Sequence, residues 1–253
     1  MTTVAPGWPL LGLLAALAAL AAVVTWLAGL GSWHQPVTAS LRAIAQLAAV
    51  SAVIGGVLHS MGWTLLFLTG MVLVGAATSA RRVTGTLRPR AWWTLAPIVA
   101  GVLPTMSAIL LSGAVPRVPV AVLPTAGILI GGAMAATTLA ARRLGDELTG
   151  QRGDYEAALS LGLTRRMSVV LVGRDGAAVA LLPGLDQTRT VGLVTLPGAF
   201  VGVLLAGASP WQAGAAQVLV LVALLLVQAI AVAVTVELVG AGLLEVTPDP
   251  LPH

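Results

Sequence analysis

Residues 213–239 read AGAAQVLVLVALLLVQAIAVAVTVELV, and only Gln217, Gln228, Thr235 and Glu237 interrupt the apolar run. A helix rises about 1.5 Å per residue and the hydrocarbon core is about 30 Å thick, so some 20 such residues span a bilayer. Six further stretches behave alike: Leu10–Leu30, Leu41–Leu58, Trp63–Ser79, Trp93–Leu111, Val118–Ala141 and Thr190–Ala206. No period-2 alternation of a barrel strand appears, and backbone groups in lipid must pair internally, so these segments are helices. Composition agrees. Of 253 residues 58% are hydrophobic and 9% charged, where a water-soluble domain carries about a quarter charged. The expected fold is an all-α polytopic membrane protein of about seven spans, one transmembrane domain over 1–253.

The inventory also excludes chemistry. Every basic residue besides histidine is Arg, so the Lys-bearing phosphate loop GxxxxGK[ST] is missing, and with no Cys there is no disulfide, thiolate ligand or Cys nucleophile. The chain is therefore expected to be no enzyme and to bind no cofactor itself. The high pI is no nucleic-acid signal, because the arginines sort by side. With the N-terminus outside, the inner loops hold Arg42; Arg81, Arg82, Arg88 and Arg90; and Arg142, Arg143, Arg152, Arg165, Arg166 and Arg174. The outer side holds Arg117, and Arg189 opens the sixth span. Positive residues stay inside, so the expected topology is N-out, C-in. Trp8, Trp33, Trp63, Trp92, Trp93 and Trp211 lie near span ends, where indoles anchor. No Arg precedes Arg42, so the first span reads as a retained helix and not a cleaved signal.

Between Arg142 and Asp186 the sequence reads as one long inner loop. Tyr155, Ala158, Leu159 and Gly162 fall at i, i+3, i+4 and i+7, which predicts a short helix closed at Gly162. Thr164 then caps a second helix from Arg165 to about Val172. The resulting knob, Asp154–Val172, reads either as an amphipathic segment resting on the membrane or as a docking element for a cytoplasmic partner.

Glu156-Ala157-Ala158, three residues, then Gly162 resembles the EAA loop of ABC-transporter permeases, and Leu163-Thr164-Arg165 continues the match. The second half differs from the importer pattern: Val172-Gly173-Arg174-Asp175 stands where I-x-L-P is expected, and Leu-Leu-Pro comes only at 181–183. Together with Thr190-Val-Gly-Leu-Val-Thr-Leu-Pro-Gly198, Arg42-Ala-Ile-Ala-Gln46 and Leu123-Pro-Thr-Ala-Gly127, the segment resembles the FetB-type iron-export ABC permeases, whose plant relatives are linked to aluminium tolerance. That resemblance implies a cell-membrane permease working as a homodimer, with ATP hydrolysed by a separate cytoplasmic ATPase subunit and iron or another metal as cargo. It implies that Glu156, Ala157, Ala158, Gly162, Thr164 and Arg165 couple to the ATPase. One difference is that relatives carry G-N-A-M where this chain has Gly131-Gly132-Ala133-Met134.

Polar residues near the spans are the candidates for a translocation path: Arg42, Gln46, Met134, Asp186 and Arg189. Each has a plainer reading. Arg42 can snorkel to headgroups, and Gln46, one turn on, can bond a neighbouring helix. Asp186 and Arg189, i and i+3 at the start of the sixth span, form either an anchoring ion pair or a polar gate at the inner end of the path. Met71, Met106 and Met134 fill gaps in apolar helices more often than they ligate. Glu237 ends the seventh span within reach of inner water and reads as an anchor. Gln217 and Gln228, three helical turns apart, share an inward face. Pro197-Gly198 interrupts the sixth span as a hinge, like Pro104 and Pro124 in the fourth and fifth. The histidines, His34, His59 and His253, lie outside the spans, so no metal site is assigned. A gradient-driven channel or carrier, and a scaffold recruiting a cytoplasmic protein, remain the alternatives from other classes.

Overall fold

The computed structural model describes residues 7–246; His253 lies outside them. Two compact units divide the chain after His59. In the first unit, α1 (Trp8–Leu27) packs on α2 (His34–Val57). His34, expected outside the spans, is thus the first residue of α2. Arg42 lies more than two turns inside α2 with Gln46 a turn beyond, and both are exposed within this unit.

The second unit begins with α3 (Met61–Thr84), capped by the Ser60 hydroxyl, which accepts from the Trp63 N–H. Two turns of 3-10 helix (Pro89–Thr94) lead into α4 (Leu95–Leu111). Then come α5 (Pro119–Gly150), α6 (Arg152–Ser160), α7 (Arg165–Ala178), α8 (Leu182–Thr190), α9 (Gly198–Leu205) and α10 (Pro210–Gly240). Proline starts α5 and α10, where no backbone donor is needed. Ser209 and Gln212 cap α10 reciprocally.

The core of this unit is built from small residues that let backbones approach, as expected where lipid supplies no hydrophobic drive between helices. Ala76 and Ala80 of α3, Ala133 and Ala140 of α5, and Ala231 of α10 are fully buried. A Cβ on Gly101 of α4 would stand 2.8 Å from the Val227 carbonyl oxygen, so α4 and α10 touch main chain to main chain. Hydroxyls bridge what remains polar. Ser79 meets the Thr138 hydroxyl at 2.8 Å and donates to the Met134 carbonyl at 3.2 Å, and Thr94 donates to the Ala76 carbonyl at 2.9 Å.

Seven helical segments among the described residues are long and apolar enough to cross a membrane, but one differs from expectation. The sixth is Arg165–Thr190 (α7, a 3-10 turn at Val179–Leu181, and α8) and not Thr190–Ala206. The inner loop expected over 142–186 is correspondingly shorter: residues 142–150 complete α5, and only α6 and its flanking turns stand between long helices. Hydropathy misled here because, beside Val169 and Val172, the inward face of α7 and α8 carries Ser168, Gly173, Gly176, Ala177 and Gly184, which pack closely without being strongly apolar. Conversely, the apolar run after Thr190 is not a continuous helix. Gly192 takes φ +82°, Val191 bridges to Thr195, and Pro197 precedes α9.

Candidate functional site

Two places in the second unit carry the candidate residues. The first is α6, beyond the end of the long α5. Arg152 Nε donates to Glu156 Oε1 at 2.7 Å, one turn along, and this contact raises the arginine's pKa above its ordinary value. Ala158 turns inward and is 4% exposed, whereas Glu156 and Ala157 face out. The helix ends where the sequence places its end. Gly162 takes φ +89°, its N–H reaches the Leu159 carbonyl, and the Leu163 N–H reaches back to Ala158. Paired bonds of this kind with a left-handed glycine close a helix tightly. Thr164 then accepts from the Met167 N–H and starts α7, with Arg165 exposed in its first turn. Leu161 stands 81% exposed at the tip and Leu159 is also exposed. A concavity of about 440 Å³ lies beneath the knob, walled by Leu148, Arg152, Tyr155, Arg165 and Val239.

One ion pair ties the base of the knob to α10, and further polar contacts lie at the same end of this unit. Arg166 clasps Glu237 of α10 with two bonds, 2.5 and 2.7 Å. Arg90 meets Glu245 at 2.6 Å, and Arg142 Nε donates to the Arg82 carbonyl at 3.2 Å. Arg81, Arg82, Arg90, Arg142, Arg152, Arg165 and Arg166 therefore gather at one end of this unit. Glu237, read from sequence as an anchor, is one half of the joint between α7 and α10, a partnership 71 residues apart that no local pattern encodes.

The second place is α8. Asp186 and Arg189, expected at the entry to the sixth span, stand instead near its end. A Cβ on Gly240, the last residue of α10, would meet Arg166 Cα at 3.3 Å, while one on Gly184 would collide with the Gln228 carboxamide. From α7 to α8 the chain thus climbs antiparallel to α10, from its C-terminal end to Gln228, roughly 18 Å away at 1.5 Å per residue. Asp186 and Arg189 lie beyond that point, near the middle of α10 and away from the knob. Their side chains are 3.6 Å apart and each 68% exposed. Pro197 and Gly198 follow one loop later, and they begin α9 where a hinge inside a span was expected.

Gly132 of α5 packs at the same level, its Cβ position blocked by Leu224 and 3.6 Å from Gln228 Nε2. Three helices therefore converge on the Gln228 amide, which is 7% exposed and whose oxygen finds no partner. Sequence reading placed Gln217 and Gln228 on an inward face, and both are buried. It did not find the glycines that let α5 and α8 close around Gln228. Met134 is half-buried and packs near Gly75 of α3, while its carbonyl accepts from Ser79 and Thr138. Arg42 and Gln46 belong to the first unit. Among the described residues no three His, Cys, Asp or Glu side chains cluster in a way that could hold a metal ion.

Known proteins resemble this chain over most of its length. It is 33% identical over 194 residues to the "UPF0014 membrane protein STAR2" of Oryza sativa subsp. japonica, covering 76% of this chain and 68% of that protein. It is 32% identical over 181 residues to the "Probable iron export permease protein FetB" of Escherichia coli K12, covering 71% and 70%. With the "Protein ALUMINUM SENSITIVE 3" of Arabidopsis thaliana it shares 33% over 182 residues, covering 71% and 66%. No solved structure matches. The profile described as "Uncharacterised protein family (UPF0014)" matches residues 8–243, and a multi-pass membrane protein of seven apolar helices with these relatives belongs to that family.

Proposed function

We propose that this chain is the membrane-spanning subunit of an ABC-type transporter, moving its cargo with force from a separate ATP-hydrolysing subunit that grips α6. The observation that carries this reading is the build of the knob. A nine-residue helix is closed at a left-handed glycine and capped directly into a long helix, and it presents exposed Leu159 and Leu161 beyond the arginine-rich end. Exposed apolar side chains on a rigid, polar projection suit a protein groove better than bulk water. The nucleotide chemistry belongs to the partner, since this chain lacks the lysine-bearing loop.

In this mechanism ATP closes a pair of ATPase subunits, α6 is carried with them, and α7–α8 moves as its continuation. The Arg166–Glu237 clasp passes that movement to α10. Asp186 and Arg189 sit exposed midway along a strongly apolar helix partner, where a charge facing lipid costs about 2.5–3.5 kcal/mol on insertion scales. A water-filled path, shared between two copies of the chain, removes that cost and gives the pair a use in gating. The arginine-rich end faces the cytoplasm, which makes the topology N-out and C-in. The likeness to an iron export permease favours a metal cargo moved outward across the cell membrane.

Leu161→Asp tests the docking role without touching the core. The variant is expected to insert normally and to lose co-purification with the ATP-hydrolysing subunit from native membranes. Undiminished co-purification would rule out docking through α6.

A further inference from the structure

The first 145 residues contain no Asp or Glu, yet they carry eight Arg. Four of these meet at one end of α3 and α5. Arg81 and Arg82 lie in the last turn of α3, and Arg142 and Arg143 lie on the neighbouring α5. The two helices are joined there: Ser79 meets Thr138 at 2.8 Å, and one turn on Arg142 Nε donates to the Arg82 carbonyl at 3.2 Å. Among the described residues no carboxylate pairs with Arg81, Arg82 or Arg143. The next acids along the chain do not serve. Asp146 is exposed and makes no ion pair, while Glu147 bonds Gln151 and would collide with a Cβ on Gly176 of α7. The C-terminus of α3 offers only about half an elementary charge. Around the cluster the surface is that of a membrane helix at headgroup level. Leu66 and Val74 share a face of α3 with Arg81 and are 61% and 63% exposed. Trp92 and Trp93, exposed on the 3-10 helix that packs against α3, mark the depth at which indoles anchor.

We infer that the joined ends of α3 and α5 hold an anionic phospholipid, its phosphate taken by these arginines and an acyl chain lying along Val74 and Leu66. Guanidinium groups bind phosphate oxygens through paired, charge-assisted hydrogen bonds. Basic pockets between spans select anionic headgroups in this way. The lipid supplies the counter-charge that the chain itself lacks there. Binding belongs to this chain alone and does not depend on whether a motor grips α6.

Native mass spectrometry of the full chain tests this, in detergent micelles holding equal amounts of dioleoylphosphatidylglycerol and the zwitterionic dioleoylphosphatidylcholine. The unaltered chain is expected to retain the anionic lipid about tenfold more often. Arg81→Gln together with Arg82→Gln should bring that ratio near one, while Arg174→Gln, which removes an exposed charge from α7, should leave it unchanged. Excess inorganic phosphate should not displace the lipid, because a free ion lacks the acyl contact. Equal retention of both lipids by the unaltered chain would overturn the inference, and displacement by phosphate would make this a site for the free ion instead. A preference that survives the double variant would overturn it too, and lost co-purification of the ATP-hydrolysing subunit in that variant would then assign the cluster to a protein. The comparison of lipids on the unaltered chain needs no variant to fold.

Discussion

At the scale of single residues, glycine has two separate jobs here, and only one was legible in the sequence. Gly162 closes α6 in the left-handed region, and its place was readable because the helix period ends there and a capping Thr164 follows. A Cβ in that conformation costs roughly 1–2 kcal/mol. Gly162→Val is therefore expected to loosen the knob and reduce ATPase co-purification while leaving membrane insertion intact, as read by pull-down and by membrane fractionation. Gly101, Gly132 and Gly184 act instead by what they exclude, and their partners Val227, Leu224 and Gln228 lie far along the chain. No local pattern encodes such a contact. Gly101→Leu should lower the thermal stability of the detergent-solubilised protein, by about 1–3 kcal/mol for overpacking against backbone. Gly70→Ala in α3, with open space around it, serves as the neutral control.

At the scale of elements, spans three, four, five and seven were legible because strongly apolar residues mark them. The sixth was not. Its helix carries Arg174 and Asp175 on an exposed face and small residues on the buried one, so mean hydropathy underrates it. The run after Thr190 has the opposite character: apolar throughout, yet interrupted by Gly192 and Pro197. Moving the span moves the candidate pair within it, from its start to its end, alongside the middle of α10. Two outcomes follow for α8. Arg189→Ala should cut transport at least tenfold with normal insertion, whereas a pure anchor would give poor insertion and unchanged turnover. The chain has no Cys, so Thr190→Cys introduces a lone thiol on the Asp186 side of α8. It should react with a water-soluble methanethiosulfonate reagent far faster than a thiol at lipid-exposed Val222, and equal rates would place that face in lipid.

At the scale of the whole molecule, the second unit couples an arginine-rich, ion-paired end to an apolar body through α7 and α10. The Arg166–Glu237 clasp is open to solvent and is worth little as stability. Its significance is geometric, since it joins the first turn of α7 to the last of α10. A permease driven from outside needs such a joint between the part that is pushed and the part that opens. The central claim is that this chain moves cargo only when a separate motor pushes α6. It is tested most directly by iron flux in sealed vesicles holding either the chain alone or the chain purified together with its ATP-hydrolysing subunit. The account predicts flux only in the second preparation, dependent on ATP and lost in Leu161→Asp. Full-rate flux down a gradient through the chain alone would contradict it.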